Sequence, residues 1–188
     1  MNHAEGMAHG AGRPLPTRET LSRIELLLLD VDGVLTDGRI WFDPEGREYK
    51  SFHVQDAAGL AYWHRCGGLS GFLSGRGGHV VEMRARQLGI HEVHLGAKNK
   101  EEILDEILAR RGIAENRVAY VGDDLLDLPV LRRVGLAATV PQGRDQVKAV
   151  CHCVTRRDAG CGAVREVVEL LLSSRGRLDE IVANGGLS

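Results

Sequence analysis

The strongest constraint on the fold is a rhythm: strand-sized apolar runs alternate with helical patterns from about Glu25 to Leu172. The runs predict strands at 26–30, 69–73, 92–95, 118–121, 136–139 and 152–154. Helices are expected at 56–65, 79–88, 100–110, 125–133, 145–149 and 163–172. Strands that alternate with helices of this length imply an α/β, three-layer Rossmann-like parallel sheet with helices on both faces. Glycines at Gly67-Gly68, Gly89, Gly112 and Gly135 each follow a helical pattern, where a left-handed terminal position favours them.

One stretch breaks the rhythm. Residues 38–54 alternate around Asp43-Pro44-Glu45-Gly46, which predicts a β-hairpin inserted after the first strand. Only about 20 residues separate Arg76 from Lys98, so no separate cap domain is expected. The domain is expected over 21–176. Residues 1–20 read as a disordered leader without an apolar signal core, and 177–188 as a flexible tail that could reach a neighbour's site.

Composition removes several classes of function. A formal net charge of -2 creates no basic field for nucleic acid or an anionic membrane surface. With 4% aromatic residues the chain is poor in stacking platforms for single strands. No apolar run approaches a membrane span, and the expected location is the cytoplasm. Cys151-His152-Cys153 with Cys161 lacks the usual zinc spacing, so the four cysteines read as reduced thiols.

In α/β sheets ligands bind beyond the carboxyl ends of the strands. The first strand ends in Asp30-Val31-Asp32-Gly33-Val34-Leu35-Thr36-Asp37-Gly38, and the second in Ser74-Gly75-Arg76. Lys98 and Lys100 lie near the third, and Gly122-Asp123-Asp124-Leu125-Leu126-Asp127 follows the fourth. Carboxylates gathered on one rim need a cation, because each pair about 4 Å apart repels by roughly 4 kcal/mol at an effective dielectric of 20. An all-oxygen site of this kind suits Mg²⁺ together with a phosphate.

The order D-x-D-G-x-x-T, S-G-R, K, G-D-D-x-x-D resembles the four motifs of the haloacid dehalogenase (HAD) superfamily. That resemblance implies Asp30 as nucleophile and Asp32 as general acid and base. It implies a metal held by Asp30, the backbone carbonyl of Asp32, and Asp123. Ser74 and Gly75 would hold the phosphate with Lys100, which fits the family's spacing from Gly96 better than Lys98 does. Asp124 and Asp127 would support them. L-L-D-V-D-G-V-L-T-D-G, F-H-V-Q-D-A-A-G-L, A-Y-V-G-D-D-L-L-D-L-P-V and G-C-G-A-V-R-E are similar to the 3-deoxy-D-manno-octulosonate 8-phosphate (KDO 8-phosphate) phosphatases. This closer resemblance covers about Leu26 to Leu172 and implies a lipopolysaccharide precursor as product. It also implies a homotetramer whose hairpins pack together.

The same resemblance implies substrate contacts at Asp32, Thr36, Gln55, Asp56, Arg76, Arg84 and Lys100. Arg76 and Arg84 lie eight residues apart, expected on one helix face, where a guanidinium fork suits a sugar-acid carboxylate. Two stretches depart from the family. Gln55 and Ala57 stand where V-R-D-G is commoner, and Cys161 replaces the basic residue of G-G-R-G-A. Both departures bear on the substrate, and a nine-carbon sialic-type 9-phosphate is the alternative. A receiver domain would lack Asp32 and carry its acidic pair before the phosphorylated strand. A non-catalytic oligomerisation module, the other alternative, need not keep Asp30, Asp32, Asp123 and Asp127.

Overall fold

A computed structural model describes residues 8–9 and 12–186. Its strands are β1 (Ala8–His9), β2 (Leu26–Leu29), β3 (Trp41–Phe42), β4 (Glu48–Tyr49), β5 (Leu69–Ser74), β6 (Glu92–Leu95), β7 (Val118–Val121), β8 (Leu136–Thr139) and β9 (Cys153–Val154). The helices are α1 (Arg18–Ser22), α2 (Val54–Arg65), α3 (His79–Leu88), α4 (Lys100–Arg111), α5 (Leu128–Leu131), α6 (Asp145–Lys148), α7 (Ala163–Ser174) and α8 (Leu178–Ala183).

The main sheet runs β1-β9-β8-β7-β2-β5-β6. Six of its strands are parallel and β1 pairs antiparallel with β9. Period-two alternation divides the core into layers. Leu27, Leu29, Ala119 and Val121 face a layer formed by α2, α7 and α3 through Leu60, Trp63, Val164, Val168 and Val81. Leu26, Leu28, Val118 and Tyr120 face the opposite layer, where Leu104, Ile107, Val130, Leu131 and Val147 pack from α4, α5 and α6. The six-stranded α/β architecture expected from the rhythm is present, with helices on both faces.

The topology also fixes where a ligand can sit. From β2 the chain moves outward to β5 and β6, then returns across the sheet to β7, β8 and β9. Connections therefore leave β2 in opposite directions and open a crevice beyond its carboxyl end. The inserted hairpin is short: Trp41 pairs with Tyr49 and Phe42 with Glu48, with the turn closed by Arg47 on Asp43. Among the described residues no further folded insertion covers the crevice.

Several expected boundaries are corrected. The segment 125–133 is not one helix but a 3-10 turn, Leu125–Asp127, followed by the four-residue α5. The Asp127 carboxylate reaches back to the N–H groups of Asp123 and Asp124, which tightens the turn. Residues 1–7 and 10–11 of the expected leader lie outside the described residues. The rest is ordered: β1 extends the sheet, Arg13 bonds Cys151 and Leu131, and α1 begins at Arg18 under a Thr17 cap. The segment from 177 includes α8, with Leu178 and Ile181 buried in the core. Arg65 donates to the Gly186 carbonyl at 2.8 Å, so the chain up to that point packs on its own subunit. Residues 187–188, the end of the expected tail, lie outside the described residues.

Candidate active site

The crevice beyond β2 holds a dense set of charges. Asp30 follows the last residue of β2, where its N–H donates to the Val121 carbonyl of the neighbouring strand at 2.9 Å. Lys100, the first residue of α4, is buried and stands 3.0 Å from Asp30 Oδ1, an ion pair without hydrogen-bond angles. It donates to Asp127 Oδ1 at 2.6 Å and to the Tyr120 hydroxyl at 3.1 Å. Tyr120 donates to the same Asp127 oxygen at 2.6 Å. Lys98 is exposed, so burial separates the two candidate lysines.

Asp30, Asp123 and Asp127 each offer an oxygen within 4.8 Å of the others. They are not equivalent. Both Asp127 oxygens are engaged, one by Lys100 and Tyr120, the other by the N–H groups of Asp123 and Asp124 at 2.9 and 3.1 Å. Asp123 Oδ1 is buried with no hydrogen-bond partner. An orphaned carboxylate oxygen facing further acids is a donor set that fits a hard divalent cation. Two glycines make room for it. A Cβ on Gly33, where φ is +90°, would fall 2.3 Å from Asp123 Oδ2, and one on Gly122 would fall 2.5 Å from the Asp127 Cγ.

Electrostatics agree with this division. Burial raises Asp30 to about 6 against the pull of Lys100. Burial, then Asp30, then Asp127, raise Asp123 to about 7. Lys100 is held above its ordinary value by Asp30 and Asp127, which outweigh the effect of its own burial. A lysine paired with two carboxylates stays protonated and balances part of the acid cluster.

The hairpin supplies a group that sequence reasoning missed. Lys50 Nζ lies 2.6 and 2.7 Å from the two Asp32 oxygens and 3.3 Å from Glu48. Arg76 closes the ring, 3.6 Å from Asp32 and 3.2 Å from Glu48. The signal lay in Glu48-Tyr49-Lys50: alternation along a ribbon puts Glu48 and Lys50 on one side and the exposed Tyr49 on the other. Tyr120 was also missed, although its strand leads directly into Gly122-Asp123.

The remaining expected residues fall in different places. Ser74 ends β5 and its hydroxyl accepts the Arg76 N–H at 3.3 Å, while Gly75 packs against Leu126. Asp124 caps the 3-10 turn through the Leu125 N–H and stands 3.7 Å from Arg144. Gln55 is exposed, and its amide oxygen lies against Gly162, beside Cys161, so the two departures are neighbours.

Two expected substrate contacts, Thr36 and Asp56, are engaged within the chain, and the helix face expected to be shared by Arg76 and Arg84 is corrected. Thr36 is fully buried and its hydroxyl binds the loop's own backbone at Val31, Gly33 and Gly38. Asp56 is also buried: it accepts the Arg165 N–H at 2.8 Å and caps α7, whose N-terminal residue Gly162 has no side-chain oxygen. Arg76 lies three residues before α3, so it does not share a helix face with Arg84. Arg84 sits beside the hairpin's return, with its guanidinium 5.4 Å from the Phe52 ring centre. Cys151 and Cys153 are both buried but belong to opposite core layers.

Comparison with known proteins gives the family. The model of the haloacid dehalogenase-like hydrolases matches residues 74–167. The chain belongs to the haloacid dehalogenase-like hydrolase family. A 3-deoxy-D-manno-octulosonate 8-phosphate phosphatase of Escherichia coli is 43% identical over 161 residues, 84% of each chain. The Moraxella catarrhalis enzyme of that name, solved with magnesium, phosphate and KDO, superposes with a TM-score of 0.87 at 38% identity. That match covers 89% of this chain and 97% of the other. A cobalt-bound deoxy-D-mannose-octulosonate 8-phosphate phosphatase from Haemophilus influenzae gives 0.84 at 32% identity, covering 89% and 98%.

Proposed function

We propose that this protein is a phosphoric monoester hydrolase that converts 3-deoxy-D-manno-octulosonate 8-phosphate into 3-deoxy-D-manno-octulosonate and phosphate. The observation that carries the reading is the Asp30 carboxylate at the switch point, 3.0 Å from a buried lysine and beside the orphaned Asp123 oxygen. The 43% identity to a phosphatase of that substrate supports the choice of sugar acid.

Asp30 attacks phosphorus as its bond to the sugar oxygen breaks, forming an aspartyl-phosphate. Asp32 delivers a proton to the departing oxygen, then takes one from the water that releases phosphate and restores Asp30. Lys100 neutralises a phosphoryl oxygen, with Asp127 and Tyr120 fixing its amine. Ser74 and Gly75 hold another oxygen. Asp30, Asp123 and the Asp32 carbonyl would bind Mg²⁺, which when present offsets charge on the phosphoryl group.

The exposed hairpin residues Trp41, Phe42 and Tyr49 support assembly of four copies through their ribbons. Four free cysteines support a reducing compartment, the cytoplasm. The deciding assay compares kcat/KM for the eight-carbon 8-phosphate and a nine-carbon sialic-type 9-phosphate, each with Mg²⁺ and with chelator. The expected result is a preference for the eight-carbon ester of about tenfold or more, abolished by chelation. Preference for the nine-carbon ester, or turnover in chelator, overturns the reading.

A further inference from the structure

The four strand-end motifs leave one site group unexplained: the amine that the hairpin places on Asp32. The Lys50 side chain is wholly enclosed, at 0% exposure, although the ribbon that bears it is otherwise open. Its amine bridges both Asp32 oxygens at 2.6 and 2.7 Å, and Glu48 holds it from the other side at 3.3 Å. Asp32 has weaker anchors elsewhere, the Thr36 hydroxyl at 3.5 Å and Arg76 at 3.6 Å. The orientation of this carboxylate is therefore set by the inserted ribbon more than by its own strand-end loop. Ordering a lysine side chain costs rotamer entropy, and two short charge-assisted bonds offset that cost.

We infer that Lys50 is a positioning residue for Asp32, with Glu48 as its second anchor. This rests on Asp32 acting as the proton donor of the reaction proposed above. When substrate arrives the amine yields one Asp32 oxygen to the departing oxygen and keeps the other, so the carboxylate enters the reaction already oriented. A small misplacement of such a group slows the chemical step without weakening binding.

The test uses two esters: the sugar-acid phosphate, whose alkoxide needs a proton to leave, and p-nitrophenyl phosphate, whose phenolate does not. In Lys50→Met, kcat/KM for the sugar-acid ester, which reads only the steps up to departure of the alkoxide, falls about 10–100-fold with KM nearly constant, while kcat/KM for p-nitrophenyl phosphate changes by less than about threefold. Lys50→Arg restores most of the rate. Glu48→Gln, which keeps the lysine, shows a smaller loss with the same ester selectivity and serves if Lys50→Met fails to fold. Equal losses of kcat/KM on both esters, or a KM rise with kcat kept, overturn the inference. The double variant Asp32→Asn/Lys50→Met is no slower than Asp32→Asn alone, and additive losses overturn it too. If Asp32→Asn itself treats both esters alike, the proton-donor reading is what fails, and the double variant still decides whether Lys50 acts through Asp32.

Discussion

Two charged clusters meet over the end of β2, and they are built on different principles. The inner one, Asp30, Asp123, Asp127, Lys100 and Tyr120, is held by strands, the start of α4 and a 3-10 turn, with Lys100 and Asp127 at 2% and 1% exposure. The rim cluster, Asp32, Glu48, Lys50 and Arg76, joins the β2 loop to the ribbon and to the loop after β5, with Arg76 half open to solvent. In the inner cluster burial raises Asp30 and Asp123, and geometry allows little movement. At the rim Lys50 is enclosed, but Arg76 is screened by water and can exchange partners. Covalent chemistry calls for the first environment, and proton delivery to a departing group calls for the second.

The sharpest way to break this comparison is Asp30→Asn. Turnover should vanish to background while the fold is kept or slightly stabilised, because one of several crowded charges disappears; retained turnover would end the reading of Asp30 as nucleophile. Asp32→Asn should slow hydrolysis by roughly 10²–10⁴-fold with little change in unfolding free energy, as measured by steady-state kinetics and urea titration. Lys100→Met reverses that balance. Leaving Asp127 and Asp30 buried without a countercharge should cost about 3–5 kcal/mol of stability. A loss below about 1 kcal/mol would show that the inner cluster is as well solvated as the rim.

Proton linkage separates the clusters by a smaller effect. Asp30 and Asp123 titrate near 6 and 7, raised chiefly by burial. Their contribution to stability without an ion is full below the ordinary carboxylate value and fades as pH rises through those raised values. Both protons must leave before a cation binds, so magnesium affinity should rise at least about tenfold between roughly pH 5 and pH 8, read by calorimetric titration. A flat profile would place the metal ligands elsewhere. The smallest effect belongs to neither cluster. Asp56→Ala should lower stability by about 1–2 kcal/mol, the loss of a buried helix cap, while kcat and KM stay within about twofold if its role is confined to α7.

The rhythm of short apolar runs made the sheet legible, because a strand buried on both faces must be apolar throughout and Leu26–Leu29 has no alternative. The inner cluster was legible for a related reason: its acids follow strands directly, so strand order carries them to one rim. The internal bonds of Thr36 and Asp56 were not legible, because their spacing reports only that they lie near the site. Whether a carboxylate faces a ligand or a helix end depends on what packs against it, and α7 arrives more than a hundred residues after Asp56.

The amino-acid sequence by itself determined the α/β layering and the residues that end each strand, since both follow from local periodicity and position. Tertiary structure alone decided which lysine is buried, which acid keeps an unpaired oxygen, and that the ribbon lays Lys50 across Asp32. Those outcomes depend on contacts between segments far apart in the chain, where distance and burial, rather than residue type, set the energy of a charge.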